Sequence, residues 1–320
     1  MTRPAHRHRP PMIAGVSASC VALPGGGAWP LLVDFLAERL PAVSADQWRQ
    51  RMALGRVLDE QGHALSPEVP MSACAPGARV YYYRELDAEP DLPFEARIVF
   101  QDEHLLVADK PHFMPVTPSG RHVRNSLLVR LKLQTGIDTL SPIHRIDRET
   151  AGLVLFSVRA AERGAYQALF RTQAVEKVYE AIAPLAARDV DRPLPAVYRS
   201  RIEVDPTHFF RQHEAEGEPN SETALELVEV RTPHALYRLR PRSGKTHQLR
   251  VHMNALGRPI VGDLFYPEIV HGPEVAREDW SQPLRLLARR LAFTDPCTGE
   301  ARLFESRLVL DWPDSTASTV

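Results

Sequence analysis

The apolar residues of this chain fall into short segments, some with the spacing of a strand and some with that of a helix, in no regular order. The strand-like segments are residues 98–100, 105–108, 153–158, 175–182, 224–230 and 234–239. The helix-like segments are residues 126–134, 162–172 and 246–256. The regular strand–helix alternation of a doubly wound fold is missing, so the sequence predicts the α+β class.

A smaller group of elements precedes these segments. Residues 31–40 have helical spacing, and Ser44 begins a capping box that starts a second helix with Trp48 and Met52. Residues 56–59 and 77–83 then resemble strands. This order of two helices and two strands resembles the S4 RNA-binding module in a degenerate form, and it predicts a separate small domain. A small packing domain that does not bind RNA remains the alternative.

The chain of 320 residues is long enough for about two domains. The acidic, Pro-containing residues 87–95 are typical of a linker. Residues 1–33 contain no acid and begin with a Pro-rich basic stretch, so we expect disorder there. An export signal over residues 12–23 is a less favoured alternative. The predicted parts are a flexible basic tail (1–28), the S4-like module (29–86), the linker (87–95), the main domain (96–313) and a second tail (314–320).

The charge of the chain is nearly balanced, with 39 Lys and Arg against 40 Asp and Glu. Its distribution is uneven, because residues 231–262 contain seven basic residues and no acid. A local basic surface of this kind suits a polyanion such as nucleic acid. A merely solvated face remains the alternative.

Localisation and membrane association can be judged from two further features. No apolar run approaches the roughly 18 to 20 residues of a spanning helix, which argues against a membrane protein. The three cysteines, Cys20, Cys74 and Cys297, are far apart and form no CxxC pair. Reduced thiols and a cytoplasmic location are therefore predicted.

The segment with the clearest chemical signal surrounds Asp147, which lies between Arg145 and Arg148 directly before a buried strand. Neighbouring cations favour the ionised carboxylate, so Asp147 can serve as a nucleophile or base. A structural Arg–Asp ion pair remains the alternative. A kinase loop does not fit, because Asp147 follows His144 by three positions and no DFG is present. A zinc protease does not fit either, because no HExxH is present.

Four motifs in the same order resemble those of the RluA family of RNA pseudouridine synthases. "PIHRIDRETAGLVLF" resembles the family's HRLDxxTSG motif, and "EKVYEAI" resembles its KxYxA motif. "RSGKTHQLRVHMNALGRPIVGD" and "RRLAFTDPCTGEARLFES" resemble the GRTHQIRxH/GHPIxGD and LxFxHPxTGE segments. The resemblance covers residues 96 to about 312. It implies an α+β pseudouridine synthase fold with a central, largely antiparallel mixed sheet.

The resemblance also implies the reaction and its residues. The family isomerises uridine to pseudouridine without a cofactor, after flipping the nucleotide out of its helix. Asp147 matches the catalytic aspartate and Tyr179 the active-site tyrosine. Arg145 matches the residue that the family uses near the gap that the flipped nucleotide leaves in the base stack. Lys245 stands where the family has an arginine that pairs with the aspartate, a change that keeps the charge and loses the bidentate geometry.

RNA contacts are expected at ten positions. Arg238, Arg240 and Arg242 alternate along a predicted strand and so share one face, which can follow phosphates. The other predicted RNA-binding residues are Arg145, His144, Arg148, His247, Gln248, Leu249 and Arg250.

The partner is expected to be RNA, with large-subunit ribosomal RNA favoured and transfer RNA as the alternative. We expect a monomer that needs no metal and binds no membrane. A non-catalytic RNA-binding protein on the same fold and an Asp-dependent phosphotransferase remain alternatives at this stage.

Overall fold

A computed structural model describes residues 10–84, 89, 91–185, 194–272 and 279–313. These residues form two compact units. The first contains the described residues up to Glu89 together with Gly120–Arg124 and Lys132–Asp138, and the second contains the others. No helix within the described ranges is both long enough and apolar enough to cross a membrane.

The first unit contains a three-stranded antiparallel sheet and two helices. Its elements are β1 (Ser19–Ala22), α1 (Leu32–Arg39), α2 (Ala45–Ala53), β2 (Val57–Leu58), a 3₁₀ turn (Met71–Ala73) and β3 (Arg79–Tyr82). The strands lie in the order β1-β3-β2. The two predicted helices and both predicted strands are thereby confirmed, with shorter strands than the sequence indicated.

The sequence explains where the helices of the first unit form and what they bury. The Ser44 hydroxyl accepts a hydrogen bond from the Gln47 amide, and the Gln47 side chain accepts one from the Ser44 amide. Leu32, Leu36 and Trp48 are fully buried, because helical spacing directs them toward the same small core.

The boundaries differ from the predicted ones at both ends of this unit. Residues 19–22 were expected in a flexible tail but form β1, which pairs with β3 from Ser19↔Tyr82 to Ala22↔Arg79. Leu23 is buried beside them and explains why the segment is ordered. Within the predicted linker, Leu92 is buried and its carbonyl accepts a hydrogen bond from Arg130 of the second unit. Residues 1–9, 85–88, 90 and 314–320, from the predicted tails, linker and end of the S4-like module, lie outside the described residues.

The second unit contains three helices and a large mixed sheet. The helices are α3 (Leu127–Thr135, which begins in this unit), α4 (Arg163–Arg171) and α5 (Gln248–Ala255). The strands are β4 (Arg97–Gln101), β5 (Leu105–Lys110), β6 (Ser141–Pro142), β7 (Ala151–Ser157), β8 (Glu176–Pro184), β9 (Val197–Val204), β10 (Gln212–Ala215), β11 (Ser221–Arg231), β12 (His234–Pro241), β13 (Leu286–Thr294) and β14 (Ala301–Glu305).

The sheet confirms the predicted architecture of this unit. Within the described residues its strands lie in the order β10-β9-β11-β12-β8-β13-β7-β5-β4, with β14 beside β13 and β6 beside β7. Neighbouring strands run antiparallel except for β7 and β13, which pair in parallel. All predicted strands and helices of this unit are found. The strands β9, β10, β13 and β14 were not predicted as such, because exposed charged residues interrupt their alternation.

The centre of the sheet has two different faces. Along β12 buried residues alternate with partly exposed ones, as a pleated strand with one covered face requires. Tyr237 and Leu239 face a core cluster that includes Leu249 and Met253 of α5. Arg238 and Arg240 therefore project from the opposite face, as their alternation predicted.

Gly152 lies where β7 pairs in parallel with β13. Its backbone has φ +111°, and a Cβ atom there would lie 2.3 Å from the carbonyl oxygen of Ala288. Ala288 is its partner in the parallel pairing of β7 with β13. Only glycine fits this position without moving one strand, and β7 directly follows the loop that carries Asp147.

Gly152→Ala is expected to lower the free energy of unfolding by about 3 kcal/mol or more, because both the backbone conformation and the contact with Ala288 are unfavourable. Urea unfolding measures this. Gly164→Ala is the control, because no atom lies within 4 Å of its added Cβ in helix α4, and alanine there is expected to stabilise by about 0.5–1 kcal/mol. Equal stability of the two variants would contradict this account of Gly152.

Candidate active site

The loop that carries Asp147 joins β6 to β7 and is fixed at both ends by its backbone. The Ile143 amide donates to the Leu155 carbonyl at 2.9 Å. The Thr150 amide donates to the carbonyl of Asp147 at 3.2 Å and closes a tight turn. The turn leaves the Asp147 side chain 26% exposed, so its carboxylate can reach a ligand.

His144 acts inside the protein rather than toward RNA. Its Nε2 accepts a hydrogen bond from the Leu155 amide at 3.1 Å, and its ring stacks on Phe170 with centroids 4.4 Å apart. Burial, together with the charge of Lys177, lowers the pKa of His144 to about 3, so the ring stays neutral and can accept that bond. The structure therefore makes His144 a structural residue, which corrects its assignment to the RNA-binding set.

Arg250 is the central cation of the site. It lies on α5 with its side chain 1% exposed, and its Nε and Nη2 donate to the two carboxylate oxygens of Asp263 at 2.7 and 2.6 Å. Its guanidinium also lies over the rings of Phe265 and Tyr266. These contacts fix the orientation of the guanidinium and leave its Nη1 as a buried atom without a hydrogen-bond partner.

That free Nη1 faces the Asp147 carboxylate. The distance from Arg250 Nη1 to Asp147 Oδ2 is 3.5 Å, and the distance to Glu149 Oε2 is 4.0 Å. In the described part of the chain no ion pair joins Lys245 to Asp147. The sequence had indicated Lys245 as the cation that pairs with the aspartate, and the structure corrects this to Arg250. The predicted role of Arg250 in phosphate binding does not fit its burial.

A small open cleft lies in front of Asp147. Its volume is about 110 Å³, and its lining includes Arg145, Tyr179, Lys177 and Lys245. Burial and the negative charge of Asp147 raise the pKa of Tyr179, so its hydroxyl remains protonated at neutral pH. The three predicted catalytic residues, Asp147, Tyr179 and Lys245, are thus brought to one cleft by three separate parts of the chain.

The residues at the start of α5 build the wall of the cleft. Gln248 is buried, accepts hydrogen bonds from Ser243 and Lys245, and donates to Thr223 Oγ1 and to a backbone carbonyl of β11. Leu249 is buried in the core beneath the sheet. The polar atoms of Gln248 and the side chain of Leu249 are therefore used within the protein, and both residues line the cleft. Their RNA-binding role stays a prediction.

His247 is held close to the carboxylate without hydrogen-bonding to it. Its φ is +54°, its Nδ1 lies 3.1 Å from the Tyr266 hydroxyl, and its Nε2 lies 3.9 Å from Asp147 Oδ2. Burial lowers the pKa of His247, which favours a neutral ring. The left-handed backbone conformation of His247 turns the chain sharply into α5. The His247 ring lies near Asp147 on one side and near the rings of Phe265 and Tyr266 on the other.

Three charged residues at the site were not singled out by the sequence analysis. Lys177 donates to the Ser243 carbonyl at 2.7 Å, and burial lowers its pKa to about 8. Lys110 is fully buried and donates to the Arg148 carbonyl beneath the Asp147 loop. Asp263 orients Arg250. Lys177 and Asp263 fall within the quoted motifs, and their presence there could have marked them as site residues. Nothing in the sequence indicated that Lys110 lies under the Asp147 loop.

The remaining basic residues of the predicted RNA-binding set have different surroundings. Arg145 is exposed and lines the cleft. Arg148 pairs with Glu149 at 2.9 Å. Arg242 is 71% exposed near Gln173. Arg238 and Arg240 both pair with Glu226 on the sheet face opposite Tyr237 and Leu239, so they do not line the cleft.

Comparisons with known proteins identify the family of the chain. A model of the family described as RNA pseudouridylate synthase matches residues 104–255, which include Asp147, Tyr179 and Arg250. Transfer RNA pseudouridine synthase C of Vibrio cholerae is 31% identical over 230 residues, which cover 67% of this chain and 92% of that protein.

Two further relatives extend the comparison. Ribosomal large subunit pseudouridine synthase D of Pseudomonas aeruginosa is 29% identical over 261 residues, covering 74% of this chain and 76% of that protein. The structure of human RNA pseudouridylate synthase domain containing 1 has a TM-score of 0.53 at 24% identity, covers 68% of this chain and 86% of that one, and supports the fold. The chain therefore belongs to the RluA family of RNA pseudouridylate synthases and is an RNA pseudouridine synthase.

Proposed function

We propose that this enzyme isomerises one uridine of large-subunit ribosomal RNA, with the nucleotide flipped into the cleft and Asp147 acting on its sugar. The observation that carries the proposal is the partly exposed Asp147 carboxylate, which faces a buried guanidinium in an open cleft. Family membership removes the non-catalytic and phosphotransferase alternatives.

The chemistry assigned to Asp147 is an exchange of one glycosidic bond for another. The N1–C1′ bond of uridine breaks, and a C5–C1′ bond forms after the base turns. C5 loses a proton and N1 gains one, so substrate and product have the same composition. Asp147 acts either by attack at C1′ or by proton abstraction from the sugar. In both routes the Nη1 of Arg250, which lies 3.5 Å from Asp147 Oδ2 and has no other hydrogen-bond partner, can donate to the carboxylate as its charge changes.

Tyr179 is proposed to contact the flipped base. Its ring can stack on the uracil, and its protonated hydroxyl can donate a hydrogen bond. Because burial and Asp147 raise its pKa, Tyr179 is unsuited to removing the C5 proton unless another group accepts the phenolic proton first. A donor role agrees with the surroundings better than a role as free base.

Substrate binding is assigned to the exposed cations at the cleft. Flipping a nucleotide out of a helix costs a few kcal/mol. The planar guanidinium of Arg145 can stack against the bases on either side of the gap and offset part of that cost. Lys245 is exposed and lines the cleft, so it is suited to a phosphate contact rather than to pairing with Asp147.

The preference for ribosomal RNA rests on the first unit. Its order of two helices followed by two strands resembles the S4 module, and a cavity there is lined by Arg39 and Arg51 among others. Cations at a cavity are suited to contacts with RNA phosphates. We also propose action as a monomer in the cytoplasm without a metal requirement for the reaction. Transfer RNA remains the second candidate, because relatives with both kinds of name are found.

Pseudouridine mapping tests the substrate and the role of Asp147 together. Total RNA from cells lacking the gene, complemented with wild type or with Asp147→Asn, is treated with carbodiimide and sequenced. We expect one ribosomal position to be lost on deletion and restored by wild type alone. Loss of a transfer RNA position instead would support the second candidate.

Purified Asp147→Asn is expected to lose at least about a thousandfold in turnover, measured by tritium release from 5-tritiated uridine RNA. Its RNA affinity and melting temperature should stay close to wild type, because the substitution keeps the shape of the side chain. Asp91→Asn is the control, since Asp91 is exposed and does not line the cleft. Full turnover by Asp147→Asn would end the assignment of Asp147.

The separate roles of the two cations predict different kinetic defects. Arg250→Lys should lower kcat and stability, because lysine keeps the charge but cannot bind both oxygens of Asp263 while facing Asp147. Lys245→Met should raise KM, reduce the salt dependence of RNA binding by about one phosphate contact, and leave stability unchanged. The reverse pattern would show that Lys245 is the partner of Asp147.

Lys177 predicts a pH effect on RNA binding. Its pKa of about 8 means that the side chain is charged below pH 8 and loses its charge as the pH rises through that value. RNA affinity should therefore fall roughly fivefold between pH 7 and pH 9, the effect of one partly exposed charge contact. Lys177→Arg stays charged and should abolish the difference, as measured by filter binding. If Lys177→Arg keeps the pH dependence of the wild type, Lys177 is not the group that causes it.

A further inference from the structure

Three side chains with metal-binding atoms meet outside the catalytic cleft in the second unit. His104 lies in the turn between β4 and β5, Glu162 directly precedes α4, and Cys297 lies in the turn between β13 and β14. One ligand atom from each residue lies within 4.8 Å of those of the other two. None of the three lines the cleft of Asp147. The sequence analysis had not grouped them, because they are far apart in the chain.

We propose that His104, Glu162 and Cys297 form a zinc-binding site, with a water molecule at the fourth coordination position. Zinc binds imidazole, carboxylate and thiolate atoms at about 2.0–2.3 Å in tetrahedral geometry, which brings ligand atoms to about 3.5 Å from each other. The imidazole Nδ1 of His104 is already 3.0 Å from Glu162 Oε2. Small side-chain rotations are therefore enough to close the site around an ion.

The kind of metal follows from the ligand atoms. A thiolate and an imidazole favour zinc over magnesium or calcium, which prefer sites made of oxygen ligands. Coordination replaces the proton of the Cys297 thiol with the metal ion, and that proton passes to solvent. His104 and Glu162 are partly buried and Cys297 is exposed, so an ion can enter from solvent.

The surroundings hold two of the ligands in place. The Asp295 carboxylate accepts hydrogen bonds from the amides of Cys297 and Thr298 and fixes the turn that presents the thiol. Tyr166 is fully buried and donates to Asp295 from below. His104 Nδ1 lies 3.1 and 3.0 Å from the two carboxylate oxygens of Glu162, and Arg159 donates to Oε1 of the same carboxylate. Such outer contacts orient ligands in metal sites.

The location indicates a structural role for the metal. The three ligands come from two turns of the large sheet and from the start of α4, so one ion would connect three separate parts of the second unit. Binding to the folded state alone stabilises that state by mass action. We therefore expect zinc to raise the melting temperature without changing the rate of pseudouridine formation.

Cobalt(II) provides a direct probe, because thiolate coordination produces a charge-transfer absorption that histidine-only sites lack. Metal-free full-length protein under reducing conditions is titrated with cobalt(II) chloride. We expect the band to saturate at one ion per chain and to disappear when zinc chloride is added. Cys297→Ser should abolish the band, and His104→Gln and Glu162→Gln should weaken binding by more than about a hundredfold.

Cys20→Ser is the matched control, because Cys20 is another exposed free cysteine and lies in the first unit. It should keep the full band. Circular dichroism and tritium release check that every variant is folded and active. The proposal is overturned if wild type shows no thiolate band at millimolar cobalt, or if the band survives in Cys297→Ser.

Discussion

The arrangement of the active site depends on one buried ion pair. Arg250 binds both oxygens of Asp263 with its Nε and Nη2, which leaves its Nη1 directed toward Asp147. Both partners are almost completely removed from water, the Arg250 side chain being 1% and the Asp263 side chain 0% exposed. Buried charges are costly unless they are paired, and the two parallel hydrogen bonds from Nε and Nη2 supply that pairing and restrain the geometry. The nearby aromatic rings of Phe265 and Tyr266 restrain the guanidinium further.

The backbone fixes the remaining parts of the site. Gly152 allows β7 and β13 to run side by side immediately after the Asp147 loop. Gln248 ties the start of α5 to β11, and His247 adopts a left-handed conformation just before the helix. Because these restraints act on main chain at both sides of the cleft, Asp147 and Arg250 approach each other although they are distant in sequence. The side chains of Arg145 and Lys245 are exposed at the cleft and can respond to a substrate.

Much of the fold and part of the site could be predicted from the sequence. Helical spacing and the Ser44 capping box located the helices of the first unit, and the apolar segments located the central strands, because both signals are local. Asp147 and Tyr179 were found from their motifs. The sequence assigned the pairing cation to Lys245 and counted Arg250 among the phosphate contacts. Lys245 lies in a loop and Arg250 follows it on α5. Their positions in the motif do not show which of the two side chains is buried facing Asp147. The strands β9, β10, β13 and β14 were missed because charged side chains along them form ion pairs or remain exposed.

The sequence by itself determined the α+β class, the candidate carboxylate Asp147 and the family resemblance, because these depend on residue type, spacing and order. Tertiary structure decided which face of the sheet each arginine occupies. It separated Arg238 and Arg240 from the cleft, buried Arg250 against Asp263, and brought His104, Glu162 and Cys297 together. The physical reason is that burial and pairing depend on strand register and on helix packing over long sequence separations. No local pattern of residues specifies which charges will be desolvated together.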